Sequence, residues 1–343
     1  MSEEQDLFRN FHLMRQTAAP IMVSFDVTSR CNLRCVHCFN DSGADAPFTD
    51  LAPAQKLDIA RQIASLRPHN VCLCGGETLC CPNLMEIIDV LRPAVGKLSM
   101  VSNGYLMTRE LAEALHDGGL SLVQISIDGA NAWQHDSFRG VQGSFDRAVA
   151  AVRHLVAAGV PMVDVSLVPN RLNYRSLGEY LRMCCDLGVH QVRMMPFLPS
   201  GRGKSIGRNM MLSAQQYFEL GRTIRHWNRD RTGLPDIQWG DPLDHMRRMP
   251  TNAEAGLHTY VMEIKTNGDL SVTTYLPLVA GNCTRHTLRE YWDGGYNLIW
   301  ADKRFTEYTD RIRDVYDLED FEPAPYSGET VTFDILEGEP CNF

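Results

Sequence analysis

An apolar run, Met22 to Val27, leads straight into a loop carrying Cys31, Cys35 and Cys38, and this coupling constrains the chain more than any other feature. Three cysteines at C-x3-C-x2-C spacing just past a strand belong to a fold that keeps its chemistry at the C-terminal ends of parallel strands. The spacing suits a 4Fe-4S cluster. Such a cluster usually takes four cysteine ligands, so three leave one iron open to chelation by an exogenous amino acid. A zinc site or three buried thiols are the alternatives. Zinc usually takes four ligands with paired partners, and no second pair lies at a suitable distance.

The rest of the chain alternates strand and helix signals. Strands are predicted at Met22 to Val27, Asn70 to Cys74, Lys97 to Val101, Leu122 to Ile127, Met162 to Val168 and Gln191 to Phe197. Helical patterns begin near Pro53, Asn83, Thr108, Phe145 and Ser176, with a sixth from Ser213 to about Asn228. Asp50 and Thr108 read as N-caps, and Gly118 and Gly188 fall just past helix ends. Parallel strands joined by helices make right-handed crossovers, so six such units predict an α/β fold, a partial (β/α)6 barrel open on one side. After Pro235 the rhythm stops. Tyr260 to Ile264 and Leu270 to Thr274 flank Asn267-Gly268 and read as a hairpin. The expected division is an N-terminal segment (1–20), the barrel (21–231) and a small α+β extension (232–343).

Three further motifs end predicted strands in order: Cys74-Gly75-Gly76-Glu77-Thr78, Val101-Ser102-Asn103-Gly104 and Ile125-Ser126-Ile127-Asp128-Gly129. With the cysteine triad this ordered set resembles the radical S-adenosylmethionine (SAM) superfamily. The resemblance implies that Cys31, Cys35 and Cys38 ligate a 4Fe-4S cluster whose open iron binds SAM, which is cleaved reductively to a 5′-deoxyadenosyl radical that abstracts a hydrogen atom. It implies close backbone approach at Gly75 and Gly76, ammonium acceptors around Glu77, and Ser102 and Asn103 in the same cofactor site. Ser126 and Asp128 would bind the ribose hydroxyls, Arg139 would pair with a carboxylate, His37 would stack on the adenine, and Val168 and Leu198 would frame it. Two glycines can also form only a turn, Asp128 can be a turn former, and Val168 and Leu198 can be plain core.

The C-terminal pattern resembles the SPASM/twitch extension of that superfamily, with one departure. That extension contributes several cysteines to auxiliary clusters, whereas the region after Thr232 holds only Cys283 and Cys341. No auxiliary cluster is expected. Cys72, Cys80 and Cys81 are assigned to apolar packing. Without an auxiliary cluster to accept an electron, the resemblance favours a redox-neutral reaction on a sugar or cyclitol, an epimerisation with Cys283 as hydrogen-atom donor. Peptide crosslinking or other peptide modification, and dehydrogenation, are the alternatives. A non-catalytic iron-sulfur or SAM-binding protein is a further one.

Composition fits an enzyme of a reducing compartment. The 11 cysteines are odd in number and include adjacent pairs, poor material for a disulfide framework. The start Met-Ser-Glu-Glu-Gln-Asp lacks a signal peptide's basic and apolar regions, so a cytoplasmic location is expected. A net charge of -9 disfavours nucleic acid as a partner, and no apolar span suits a membrane. The expected partners are a small-molecule or peptide substrate and an electron donor such as flavodoxin or ferredoxin.

Overall fold

The computed structural model describes residues 16–44, 46, 48–229, 235–323 and 327–337. Its first unit is β1 (Met22–Asp26), α1 (Pro53–Leu66) and β2 (Asn70–Cys74), and the pattern continues through α2 (Leu84–Leu91), β3 (Lys97–Ser102), α3 (Arg109–Asp117) and β4 (Leu122–Ser126). Then come α4 (Ala132–Arg139), α5 (Ser144–Ala157), β5 (Met162–Leu167), α6 (Leu177–Asp186), β6 (Gln191–Met194) and α7 (Ala214–Trp227). The chain continues with β7 (Asp236–Trp239), α8 (Asp244–Glu254), β8 (Val261–Ile264), β9 (Asp269–Ser271), β10 (Leu278–Asn282), α9 (Leu288–Asp293), α10 (Lys303–Thr309) and β11 (Val331–Thr332).

All eleven strands lie in one sheet, ordered β11-β10-β9-β8-β1-β2-β3-β4-β5-β6-β7. From β8 through β1 to β7 every pairing is parallel. The architecture is therefore α/β with a parallel sheet, in the strand order of the expected (β/α) barrel. Side chains alternate across each strand, and this sheet uses the two faces differently. Val23, Phe25, Val71, Leu73 and Met100 are fully buried in the apolar core with helix residues such as Ile59, Ile63, Ile87 and Leu115. The alternate positions, Ser24, Asp26, Cys72, Cys74, Ser99 and Gln124, face the other way. That inner face is polar. It forms the floor beneath the loops at the strands' C-terminal ends.

The structure departs from the sequence reading in three places. The βα rhythm does not stop after Pro235, because Asp236–Trp239 adds a seventh parallel strand beside β6, with Gln191 opposite Asp236. The segment is only four residues long and just Ile237 is well buried, so its period was too short to see. The expected hairpin is present as β8 and β9, antiparallel around Gly268 at φ +89°, and it joins the main sheet through β8 alongside β1. Helix α4 was not foreseen, although Asn131 caps it by accepting from Gln134 N and Gly140 ends it at φ +76°. Asp50 does not cap α1, whose N-cap is Ala52.

Candidate active site

The cysteine loop is clamped from below by the two glycines of β2's end. Gly76 N donates to Thr28 O at 2.7 Å and Glu77 N to Arg30 O at 2.8 Å. A Cβ on Gly76 would approach Arg30 O to 2.5 Å and Ser29 O to 2.7 Å, and one on Gly75, at φ +132°, would strike the Thr28 carbonyl. Glycine is required at both positions because two backbones touch. From the other side Asp50 accepts from Thr28 Oγ1 at 2.5 Å and Ser29 N at 2.7 Å. The displaced N-cap is thus a brace of the cysteine loop.

Glu77 is buried and fully engaged. One carboxylate oxygen accepts from Ser102 Oγ (2.7 Å) and Leu79 N (3.0 Å), the other from Asn103 N (2.7 Å). Burial raises its pKa, opposed by these donors. Its side chain ties β2 to the end of β3, and Asn103 Nδ2 then reaches Asn32 Oδ1 at 2.8 Å and Cys31 Sγ at 3.9 Å.

Helix α4 holds the loop's far side. Val36 N donates to Phe138 O at 3.0 Å, and a Cβ on Gly140 would run into Arg34 O. Arg139, the last residue of α4, pairs with Asp128 through Nε at 2.7 Å and Nη2 at 2.6 Å, and its Nη1 lies 3.8 Å from Cys35 Sγ. Asp128 has no exposed surface; its other oxygen accepts from Val168 N at 2.8 Å, and His37 Nε2 is 3.5 Å away. Burial works to raise the Asp128 pKa, but the Arg139 charge and the Val168 N–H outweigh it and hold the carboxyl below its ordinary value. Burial drives His37 down to about 3, so it is a neutral ring.

A 4Fe-4S cluster fits this loop by the chemistry of its donors. Cys35 is buried and Cys31 and Cys38 are half-buried. N–H donors from Arg139, Asn103 and Leu33 (3.5 Å to Cys31 Sγ) already point at the sulfurs, as charged cluster thiolates require. Burial pushes the Cys31 thiol up to about 12 and raises Cys35 as well, against the Arg139 charge, so ligation would release protons. Asn32 Nδ2, His37 Nδ1 and Asn40 Oδ1 are buried without a hydrogen-bond partner beside the same loop. Among the described residues no three His, Cys, Asp or Glu side chains are placed to hold a single metal ion. A cluster, which gives each thiolate its own iron, makes no such demand.

The remaining expected residues are distributed as follows. Ser126, at the end of β4, faces Ser166 Oγ at 3.4 Å. The His37 ring lies flat on Phe138, centroids 3.7 Å apart and planes within 3°. Leu198 is buried in the core, and Val168 is half-buried with its N–H on Asp128. Cys81 packs in the core as expected, whereas Cys72 lies on the polar inner face. Cys283 is buried beside the Gly268 turn and lines a groove with Gln55, Asp58 and Gln62 of α1, on the helix-covered side. Its thiol is raised to about 12 by burial. Cys341 lies outside the described residues. Sequence reasoning missed Asp50 and Phe138, the latter signalled only by the capped helix that carries it.

Between the cysteine loop and the hairpin a small cleft of about 50 Å³ is lined by Asp26, Thr28, Gly75, Gly76, Lys265 and Asp269, among others. Its lining runs from the end of β1 to Ser271 of β9 and Val279 of β10.

Residues 25–184 match the family described as the Radical SAM superfamily. The chain is 32% identical over 307 residues to the pre-heme d1 synthase of Dinoroseobacter shibae, covering 82% of this chain and 75% of that protein. It is 35% identical over 202 residues to the mycofactocin maturase MftC of Mycobacterium tuberculosis, covering 59% of this chain and 51% of that one. Among solved structures it is similar to Streptococcus suis SuiB bound to the precursor peptide SuiA, with a TM-score of 0.66 at 14% identity over 87% of this chain and 70% of that one. SuiB has also been solved with S-adenosylmethionine, at a TM-score of 0.65. This chain belongs to the radical SAM superfamily, with a 4Fe-4S cluster and S-adenosylmethionine as its cofactors.

Proposed function

We propose that this protein is a radical SAM maturase that modifies a peptide. The observation that carries this reading is the likeness to the mycofactocin maturase over 202 residues. The likeness in fold to SuiB, solved with its precursor peptide SuiA, supports it. The relatives named above are a maturase and a synthase, so the sugar or cyclitol epimerisation that the sequence suggested is replaced by its peptide alternative. Cys283, the donor in that reading, lines the groove against α1 and not the cleft beside the cysteine loop.

The bound cofactors supply a 5′-deoxyadenosyl radical when an electron is delivered. The chain's own residues then have separate tasks. The Gly75-Gly76 contact and Asp50 fix the loop that presents Cys31, Cys35 and Cys38. The Asp128–Arg139 pair holds α4 against that loop and keeps a cation beside Cys35. Asp26, Lys265 and Asp269 give the cleft its charges, with Lys265 Nζ 3.3 Å from Asp26. A low-potential donor of the flavodoxin or ferredoxin class and a reducing, cytoplasmic setting belong to the same reading.

A second reading is a tetrapyrrole substrate, favoured by the longer match to the pre-heme d1 synthase, which extends over 82% of this chain. Anaerobic reconstitution separates the two. Formation of 5′-deoxyadenosine from SAM and dithionite should be stimulated by short peptides encoded beside the gene. Stimulation by an iron porphyrin and not by peptide would transfer the proposal to the second reading.

A further inference from the structure

The inner face of β2 carries two thiols that the proposed chemistry has not used. Cys72 and Cys74 are two residues apart on one strand, so both side chains leave the same face, and their sulfurs are 3.3 Å apart. The neighbours are polar. Cys74 is in register with Asp26, and Cys72 with Ser24 and Ser99. Glu263, in register with Ser24, has a buried oxygen that makes no hydrogen bond and lies 4.0 Å from Lys265 Nζ. The pair shares one proton-bearing contact: the hydrogen bond between them holds Cys72 below and Cys74 above the ordinary thiol pKa. Apolar packing is the usual place for a free cysteine, and this pair is not in it. Cys74 also immediately precedes Gly75, which clamps the cysteine loop and lines the cleft.

We propose that Cys72 and Cys74 form a dithiol hydrogen-atom donor on the inner face of the sheet, with Cys74 as donor and Cys72 as its partner. The proposal rests on the radical reading above. A thiol S–H bond is weaker than an aliphatic C–H bond, so a carbon radical that reaches Cys74 takes its hydrogen. A C–H bond forms, the S–H bond breaks, and the odd electron left on sulfur is shared with the second sulfur across the 3.3 Å contact. One electron from a low-potential donor of the flavodoxin or ferredoxin class and one proton from solvent restore the thiol. Two thiols on one strand serve this better than one, because the partner stabilises the sulfur radical until the electron arrives.

Two measurements on the cluster-loaded protein in thiol-free buffer test this. Phenylarsine oxide, which bridges closely spaced thiols, should add once across Cys72 and Cys74 by peptide mass mapping, and Cys72→Ser or Cys74→Ser should each abolish the bridge. Substrate-free turnover with SAM and dithionite in deuterated water should give 5′-deoxyadenosine carrying one solvent deuterium. The labelled fraction should fall in Cys74→Ser and reach background in the double variant. Failure of the wild type to bridge the arsenical overturns the dithiol, and label persisting in the double variant overturns the donor alone. No 5′-deoxyadenosine from the wild type would overturn the radical reading and the donor with it.

Discussion

Single side chains around the cysteine loop act mainly on one another. Asp128 and Arg139 were expected to grip the cofactor; the structure shows them gripping each other with no exposed surface on the carboxylate. Removing one partner of a buried pair leaves an uncompensated charge, which costs about 3–5 kcal/mol. Asp128→Ala should therefore lower stability by that order in urea unfolding, and Asp128→Asn by less, since an amide oxygen can still accept from Val168 N. Glu263 offers a pH test. Burial, opposed by Lys265, raises it from 4.5 to about 7, so the folded state holds a proton that the unfolded state has lost. Its contribution is harmless below pH 4.5, and stability falls as pH rises from there to about 7, by roughly 3 kcal/mol in total. Glu263→Gln should flatten this slope and be the more stable protein at pH 8; parallel urea curves at pH 5 and 8 would check it, and an unchanged slope would assign the effect elsewhere.

Whole elements meet at the cysteine loop through glycines. At Gly75, Gly76 and Gly140 the neighbour is a backbone carbonyl that cannot swing away, so alanine must push the loop itself. Each substitution should lower iron content after reconstitution while far-ultraviolet circular dichroism stays near that of the wild type. Gly178 on α6 has nothing within 4 Å of its missing Cβ, and Gly178→Ala should leave iron content unchanged and add up to about 1 kcal/mol of stability through helix propensity. Elements differed in how readily their sequence disclosed them. The six strands from β1 to β6 were readable because buried apolar residues recur at every second position, between the residues of the polar inner face. α4 was hidden because its eight residues, Ala132–Arg139, carry a weak apolar pattern with Gln134, His135 and Asp136 in mid-helix, leaving only the Asn131 and Gly140 caps to mark it. β7 was hidden by brevity.

At the scale of the molecule, the sheet brings three ordered motifs and one cysteine loop to a single end, which is why local spacing sufficed to find the cofactor site. Cys283 shows where that logic ends. Its sequence neighbourhood, Gly281-Asn282, suggested a loop over the opening, but β10 lies three strands from β1 and its end turns toward α1. Only the three-dimensional path of the hairpin could reveal that, as only strand pairing could put Cys72 and Cys74 beside Asp26. The central claim is that Cys31, Cys35 and Cys38 alone hold the cluster that acts on SAM. The direct test is anaerobic reconstitution followed by iron analysis and a dithionite-driven assay for 5′-deoxyadenosine. The wild type should bind about four irons per chain and form 5′-deoxyadenosine, and the Cys31→Ala, Cys35→Ala, Cys38→Ala triple variant should do neither. Near eight irons in the wild type, or iron and 5′-deoxyadenosine retained by the triple variant, would contradict it.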